Sequence, residues 1–338
     1  MPRYWFEDFV PGTTAGYGTM RLDRDDLIAF AREFDPQPFH LDEEAAKASF
    51  VGTLIASGWN TAAIHQRLAC DAFITDSACL SSPGIDELKW LKPVRPGDTL
   101  TGTREVLSAR VSATRPDRGI VSIAFRLANQ HGEAVMELKN SILFALRHPG
   151  RATPAPAPAQ ANGAAPAPEA PLRPAAPMQG IAYFEDIEPG TILDLGSRTF
   201  SESDIIAFAR AYDPQGFHID PAAAAKSPFG RIIASGWHTA AGWMGCMARD
   251  RAARAERAKA EGLPAARLGP SPGFNTLRWL KPVFPGDTIS YRSALMHKRP
   301  SASRPGWGLV FHHNTGVNQR GEAVFSFNGA VFWERRQP

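Results

Sequence analysis

Cysteine is scarce in this 338-residue chain. Cys70, Cys79 and Cys246 are the whole set, with no Cys-x-x-Cys pair. That excludes a disulfide framework and a zinc–thiolate site, and it fits a reducing compartment. An excess of one charge is lacking too: 37 Lys+Arg stand against 34 Asp+Glu, a net of +3. A nucleic-acid binder needs a basic stripe that this balance does not supply. No run approaches the ~20 apolar residues of a membrane helix. The opening Met1-Pro-Arg-Tyr-Trp-Phe-Glu-Asp8 carries acids where a secretory signal needs apolar residues. The expectation is a cytoplasmic protein with neither nucleic acid nor membrane as partner.

Against those absences, hydrophobic residues make up 43% and charged residues 21%, the balance of a chain that buries cores. Proline is plentiful, at 29, but nine prolines fall between Pro149 and Pro177. Alternation such as Thr153-Pro-Ala-Pro-Ala-Pro158 buries nothing and favours extended spacers. Residues 149–180 are therefore expected to tether two folded units, 1–148 and 181–338.

The two units are copies. Trp5-Phe-Glu-Asp-Phe-Val-Pro-Gly12 returns as Tyr183-Phe-Glu-Asp-Ile-Glu-Pro-Gly190, and Leu54-Ile-Ala-Ser-Gly-Trp59 as Ile232-Ile-Ala-Ser-Gly-Trp237. Both pairs lie 178 positions apart (190 − 12 and 237 − 59). Trp90-Leu-Lys-Pro-Val-Arg-Pro-Gly-Asp98 returns as Trp279-Leu-Lys-Pro-Val-Phe-Pro-Gly-Asp287 at an offset of 189 (287 − 98). The second copy thus carries 11 extra residues (189 − 178) between Trp237 and Trp279. A fixed long period of this kind marks tandem duplication.

Each copy reads as α+β, helices first and an antiparallel sheet after. Asp23 and Ser201 are helix N-caps, each with an acid three residues on, before Leu27, Phe30, Ala31 and Phe34 or Ile205, Phe208, Ala209 and Tyr212 at helical spacing. Asp35-Pro36 and Asp213-Pro214 stop those helices, since the residue before proline resists the helical region. Asp42 and Asp220 cap short Ala-rich helices, and longer apolar helices start near Ser57 and Ser235. In the second copy the charged run Arg249–Glu261 extends that helix. Strands are expected over Leu88–Val94, Thr99–Val111, Ile120–Ala128 and Ala134–Leu146, the last two joined by a turn at Asn129-Gln-His-Gly132.

One cluster suits chemistry. Asp35-Pro-Gln-Pro-Phe-His40 recurs as Asp213-Pro-Gln-Gly-Phe-His218. A carboxylate and an imidazole five residues apart on a proline-stiffened loop can converge on one water and move protons near neutral pH. Gly58 and Gly236 open the apolar helices, where free N–H groups and the positive helix end suit an oxyanion. Either Asp or either His alone would more often be structural. Trp90 and Trp279 read as packing residues, and Lys92, Arg95 and Lys281 as exposed strand-end charges.

These motifs, running nearly end to end through both copies, resemble the MaoC-like dehydratases, the hot-dog fold group that includes R-specific enoyl-CoA hydratases. The resemblance implies two tandem hot-dog domains, each an antiparallel sheet wrapped around a long helix, joined as an intrachain pseudo-dimer, with further homo-oligomerisation left open. It implies Asp35 with His40, and Asp213 with His218, as water-activating pairs, with the N–H of Gly58 and Gly236 polarising a thioester carbonyl. The reaction implied is reversible hydration of a 2-enoyl thioester, as in fatty acid metabolism, to an R-3-hydroxyacyl thioester. No metal or separate cofactor is implied; coenzyme A, or an acyl carrier, arrives as part of the substrate. An acyl-CoA-binding module without turnover and a hot-dog thioesterase are the alternatives. Where the family pattern has Asn two residues after the Asp, this chain has Gln37 and Gln215, and its helix starts read Ser57-Gly-Trp59 and Ser235-Gly-Trp237. Bulky Trp59 and Trp237 are expected to line and shorten the acyl pocket. Both pairs being intact, two competent sites are expected.

Overall fold

The computed structural model describes residues 2–149, 170–174, 181–263 and 265–336. Its first copy runs β1 (Thr14–Arg21), α1 (Arg24–Phe34), α2 (Pro38–Leu41), α3 (Glu43–Lys47), α4 (Gly58–Ala69), β2 (Cys79–Ser81), β3 (Gly84–Trp90), β4 (Thr99–Val111), β5 (Arg118–Ala128) and β6 (Ala134–Ala145). A two-residue strand, β7 (Arg173–Pro174), precedes the second copy: β8 (Thr191–Thr199), α5 (Glu202–Tyr212), α6 (Gly216–Ile219), α7 (Pro221–Ala225), α8 (Gly236–Ala260), β9 (Gly273–Trp279), β10 (Thr288–Pro300), β11 (Trp307–Asn318) and β12 (Ala323–Glu334).

All strands belong to one sheet, ordered β1-β4-β5-β6-β3-β9-β12-β11-β10-β8-β7, with β2 also on β6. The copies meet at its centre, where β3 pairs antiparallel with β9 and Leu88 stands opposite Phe274. Gly84 and Gly273 sit there at φ +156° and +141°. A Cβ on either would fall within 2.0 Å of a carbonyl oxygen on the other copy, so only glycine lets the two halves join this closely. The hot-dog pair is therefore a continuous sheet wrapped around α4 and α8, the expected pseudo-dimer.

Both central helices are buried through most of their length, because their small residues (Ala62, Ala63, Ala240, Ala241, all within 2% of full burial) let the sheet close on them. In the first copy α4 ends in a π-helical turn at Cys70–Ile74. In the second, the extra residues carry α8 on to Ala260, as the charged run suggested. No helix among the described residues is long and apolar enough to cross a membrane.

Two expectations need adjustment. The strand expected at Leu88–Val94 lies earlier, at Gly84–Trp90, because Pro93 has no N–H to give a ladder. Most of the expected tether lies outside the described residues. At its described end, Arg173 and Pro174 pair in parallel with Thr191 and Ile192.

Several repeated motifs prove to be architectural. In Pro-Gly-Asp, Asp98 accepts from the Arg95 N–H (2.8 Å) and Gln130 Nε2 (2.9 Å), closing the turn before β4. Asp287 does the same with Phe284 and Gln319. Asp42 and Asp220 cap their helices through Ala45 N and Ala222 N, both at 2.8 Å. Lys92 and Lys281 pair with Glu133 and Glu322 at the surface.

Candidate active site

Proline-directed helix termination builds the site. Asp35 is the C-cap of α1, at φ −155° and ψ 63°, and Pro36 turns the chain so that α2 starts at Pro38 and delivers His40 two residues later. His40 Nε2 comes to 3.3 Å from Asp35 Oδ2, both side chains almost wholly buried. His40 Nδ1 lies 2.8 Å from the Ile55 carbonyl oxygen. Because a carbonyl only accepts, Nδ1 carries a proton and Nε2 is the nitrogen turned to the carboxylate.

Two residues that sequence reasoning had not given a chemical role complete this arrangement. Ser57 Oγ donates to Asp35 Oδ2 at 2.6 Å while accepting from the Trp59 N–H at 3.2 Å, so the cap of α4 is also a partner of the carboxylate. Gln37 Nε2 donates to Asp35 Oδ1 at 2.8 Å. Burial alone would raise the Asp35 carboxyl. The charge of His40 and the bonds from His40, Ser57 and Gln37 outweigh it and hold the carboxyl below its usual range.

Gly58 follows at the first position of α4. With the Trp59 N–H taken by Ser57, the Gly58 N–H has no protein partner among the described residues. It is the free donor expected at a helix start. Glycine is also a packing requirement here: a Cβ at Gly58 would stand 2.6 Å from the Trp90 indole, whose Nε1 donates to the Gly58 carbonyl at 2.9 Å. Trp90 therefore packs, as expected, but it also fixes the end of the helix.

A cavity of about 540 Å³ opens on Asp35, His40 and Gly58, within the usual range for a small-ligand site. Trp59 forms part of its wall, stacked on Phe274 of the other copy at 5.1 Å with the rings 8° apart. The cavity continues between the copies to Trp243 and Met244 on α8 and to β11 and β12, so its far half is built by the second copy.

The second constellation has the same skeleton. His218 Nε2 lies 3.5 Å from Asp213 Oδ2, Ser235 Oγ donates to it at 2.6 Å, and His218 Nδ1 meets the Ile233 carbonyl at 2.8 Å. A Cβ on Gly236 would stand 2.2 Å from Trp279. The difference is what faces Asp213. Gln66 Nε2 donates to Oδ1 at 3.0 Å, Cys70 Sγ stands 3.3 Å from the same atom, and Gln66 Oε1 accepts from Trp237 Nε1 at 3.3 Å. Burial is again opposed, by the His218 charge and by bonds from His218, Ser235 and Gln66, and the carboxyl lies well below its usual range. At the 178-residue offset, Gln66 and Cys70 correspond to Met244 and Ala248, which offer Asp35 no such donors. The sequence held this signal only as a difference between copies.

The fold and these paired half-sites define a double hot-dog protein whose two copies each carry an Asp/His loop against a glycine-led helix. The chain belongs to the MaoC like domain family, whose model matches residues 8–121 and 186–305. It is 31% identical over 138 residues to the uncharacterized protein YdeM of Bacillus subtilis (strain 168), covering 41% of this chain and 96% of that one. It is 29% identical over 136 residues to a protein named 3-hydroxybutyryl-CoA dehydratase from Methylorubrum extorquens, covering 38% of this chain and 73% of that one. Among solved structures, a conserved Mycobacterium tuberculosis protein described as having a double hotdog fold superposes with a TM-score of 0.73 at 15% identity, covering 97% of this chain and 98% of that one.

Proposed function

We propose that the protein catalyses the reversible hydration of a 2-enoyl thioester, carried by coenzyme A, to the R-3-hydroxyacyl thioester, and that it does so at the first copy's site. The observation that carries this is the Asp35–His40 pair opening on one cavity beside the unpartnered Gly58 N–H. The family, and the relative named 3-hydroxybutyryl-CoA dehydratase, support the reaction class.

In this reading the thioester carbonyl accepts from Gly58 N–H, and the enolate charge formed on its oxygen lies at the positive end of α4. Asp35, held ionised by its three donors, takes a proton from water as the water oxygen bonds to the β carbon. His40 gives its Nε2 proton to the α carbon. The proton on Asp35 then crosses to Nε2, which restores the pair, so one H and one OH have been added and nothing else consumed. In this reading water does not take the equivalent place at Asp213, whose Oδ1 is met by Gln66 and Cys70 in addition to Gln215. The reading assigns turnover to one site where two were expected, with the second copy contributing the far half of the pocket.

The test is loss of enoyl absorbance across a panel from crotonyl-CoA to long-chain enoyl-CoA, with chiral analysis of the product. D35N is expected to lower kcat by at least about 10²-fold, the usual size of a lost acid–base group. D213N is expected to keep turnover while melting at a lower temperature, since its carboxylate satisfies a buried ring of donors. Free thiol release would favour a thioesterase, and saturable binding without either change would favour a binding module. Loss of all turnover in D213N would sink the single-site assignment.

A further inference from the structure

Inside the second copy the cavity meets a group that the hydration step does not use. Arg251, on α8, is partly buried and lines the cavity wall. Among the described residues it has no ion pair or hydrogen bond. Its neighbour Asp250 is engaged by Arg254, at 2.7 Å. Burial pushes the Arg251 guanidinium down to about 10, with Asp35 and Asp250 acting the other way. A guanidinium with no carboxylate in contact in such surroundings is costly unless something arrives to pair with it.

Further polar groups belong to the same part of the second copy. Asn314 is 1% exposed and its Oδ1 has no partner, and the same holds for Trp243 Nε1 at 7% exposure. His312, also lining the cavity, meets Ser293 Oγ through Nδ1 at 3.4 Å and the backbone of Val310. Gly329, opposite His312 across the β11–β12 ladder, leaves the wall without a side chain beside Asn314.

The duplication supplies an internal control. At the offsets of 178 and 189, Arg251, His312 and Asn314 correspond to Phe73, Ile123 and Phe125 of the first copy. There the same positions carry buried apolar side chains, with Phe73 stacked on Phe125 at 6.4 Å and the Arg104 guanidinium lying over the Phe73 ring at 4.6 Å. One copy fills this space with rings. The other keeps it open and lines it with a cation, an imidazole, an amide and an indole N–H, which an acyl tail of hydrocarbon alone would leave unsatisfied.

We propose that the acyl group taken by this site ends in a carboxylate, the substrate being the monothioester of an unsaturated dicarboxylic acid, with Arg251 pairing the distal carboxylate and the Trp243 indole N–H and the Asn314 amide N–H as further donors to it. This rests on the hydratase reading for its turnover but not for its binding. It gives Arg251 the role of a specificity-determining residue rather than a catalytic one.

Two matched probes differ only at the distal end: trans-2-hexenoyl-CoA and the mono-CoA thioester of trans-2-hexenedioic acid. The wild-type chain is expected to favour the diacid in kcat/KM by at least about tenfold, and R251M to lower kcat/KM for the diacid by roughly 10- to 100-fold relative to the neutral substrate, the scale of a lost charged hydrogen bond. R251K should keep part of the preference. Equal handling of the two substrates by wild type would overturn the proposal. So would an equal loss on both in R251M, which would make Arg251 a counter-charge to Asp35. Calorimetric binding of adipoyl-CoA against hexanoyl-CoA reads the same preference without turnover, so a failed hydratase reading and a failed carboxylate pocket give different results. Should R251M not fold, N314L is expected to weaken adipoyl-CoA binding selectively, and unchanged selectivity there counts against the pocket.

Discussion

Ser57 shows how closely folding and chemistry are tied at single residues. Its hydroxyl is both the cap of α4 and a donor to Asp35, so replacing it removes two interactions. S57A is expected to cost about 2 kcal/mol, combining a lost N-cap with a lost hydrogen bond to a charged group, and to lower kcat for enoyl hydration by about tenfold as Asp35 loses its fixed position. Urea unfolding and steady-state kinetics measure the two effects, and an unchanged kcat would remove Ser57 from the site. In the sequence, Ser57 reads as a helix start and Gln37 as a departure from the family's Asn. Neither can be recognised as a partner of Asp35 until Pro36 folds the loop back over α4.

At the scale of elements, the two central helices carry the asymmetry. Face for face, α4 presents Gln66 and Cys70 to the opposite copy's Asp, whereas α8 presents Met244 and Ala248. Exchanging Gln66 for the residue at its counterpart position, Q66M, removes the amide donor from Asp213 Oδ1 and the acceptor from Trp237 Nε1. Unfolding free energy is expected to fall by about 1.5–3 kcal/mol, as for a hydrogen bond to a charged group, while turnover at the Asp35 site persists. A thermal melt together with the enoyl assay distinguishes this from a catalytic role for Gln66, in which turnover would fall and stability would hold. The sequence sets these four residues at equivalent positions, but it does not say that a helix in one copy faces the active loop of the other. That follows from the β3–β9 junction.

Among the described residues, burial lowers the titration of three imidazoles and favours their neutral form. His65 and His312 are pushed down to about 3 by burial, and His238 is lowered well below its usual range, again chiefly by burial. Their folded values lie below the ~6.5 of an unfolded imidazole, so between pH 6.5 and 3 the unfolded chain binds protons that the native chain refuses. Their contribution to stability is complete above that range and is lost as pH falls through it, at about 1.4 kcal/mol per pH unit for each histidine. Asp35 and Asp213, whose values are lowered, lose their contribution only below the ordinary carboxylate range, so they do not account for a decline near pH 6. Urea midpoints measured between pH 7.5 and 4.5 are expected to fall, and H65N to fall less steeply by one proton's worth. An unchanged slope in H65N would mean that His65 is charged in the native state.

By itself the sequence determined a great deal: two copies at a fixed offset, α+β order within each, the caps at Asp42 and Asp220, and the Asp/His loops beside Gly58 and Gly236. All of these depend on contacts within a few residues, or on repetition, which a linear text preserves. Tertiary structure alone decided how the copies differ in use. Whether water or Gln66 faces a carboxylate, and whether Arg251 meets a cavity where Phe73 meets a ring, depends on residues that are far apart in the chain and are brought together only when β3 and β9 close the two copies into one sheet.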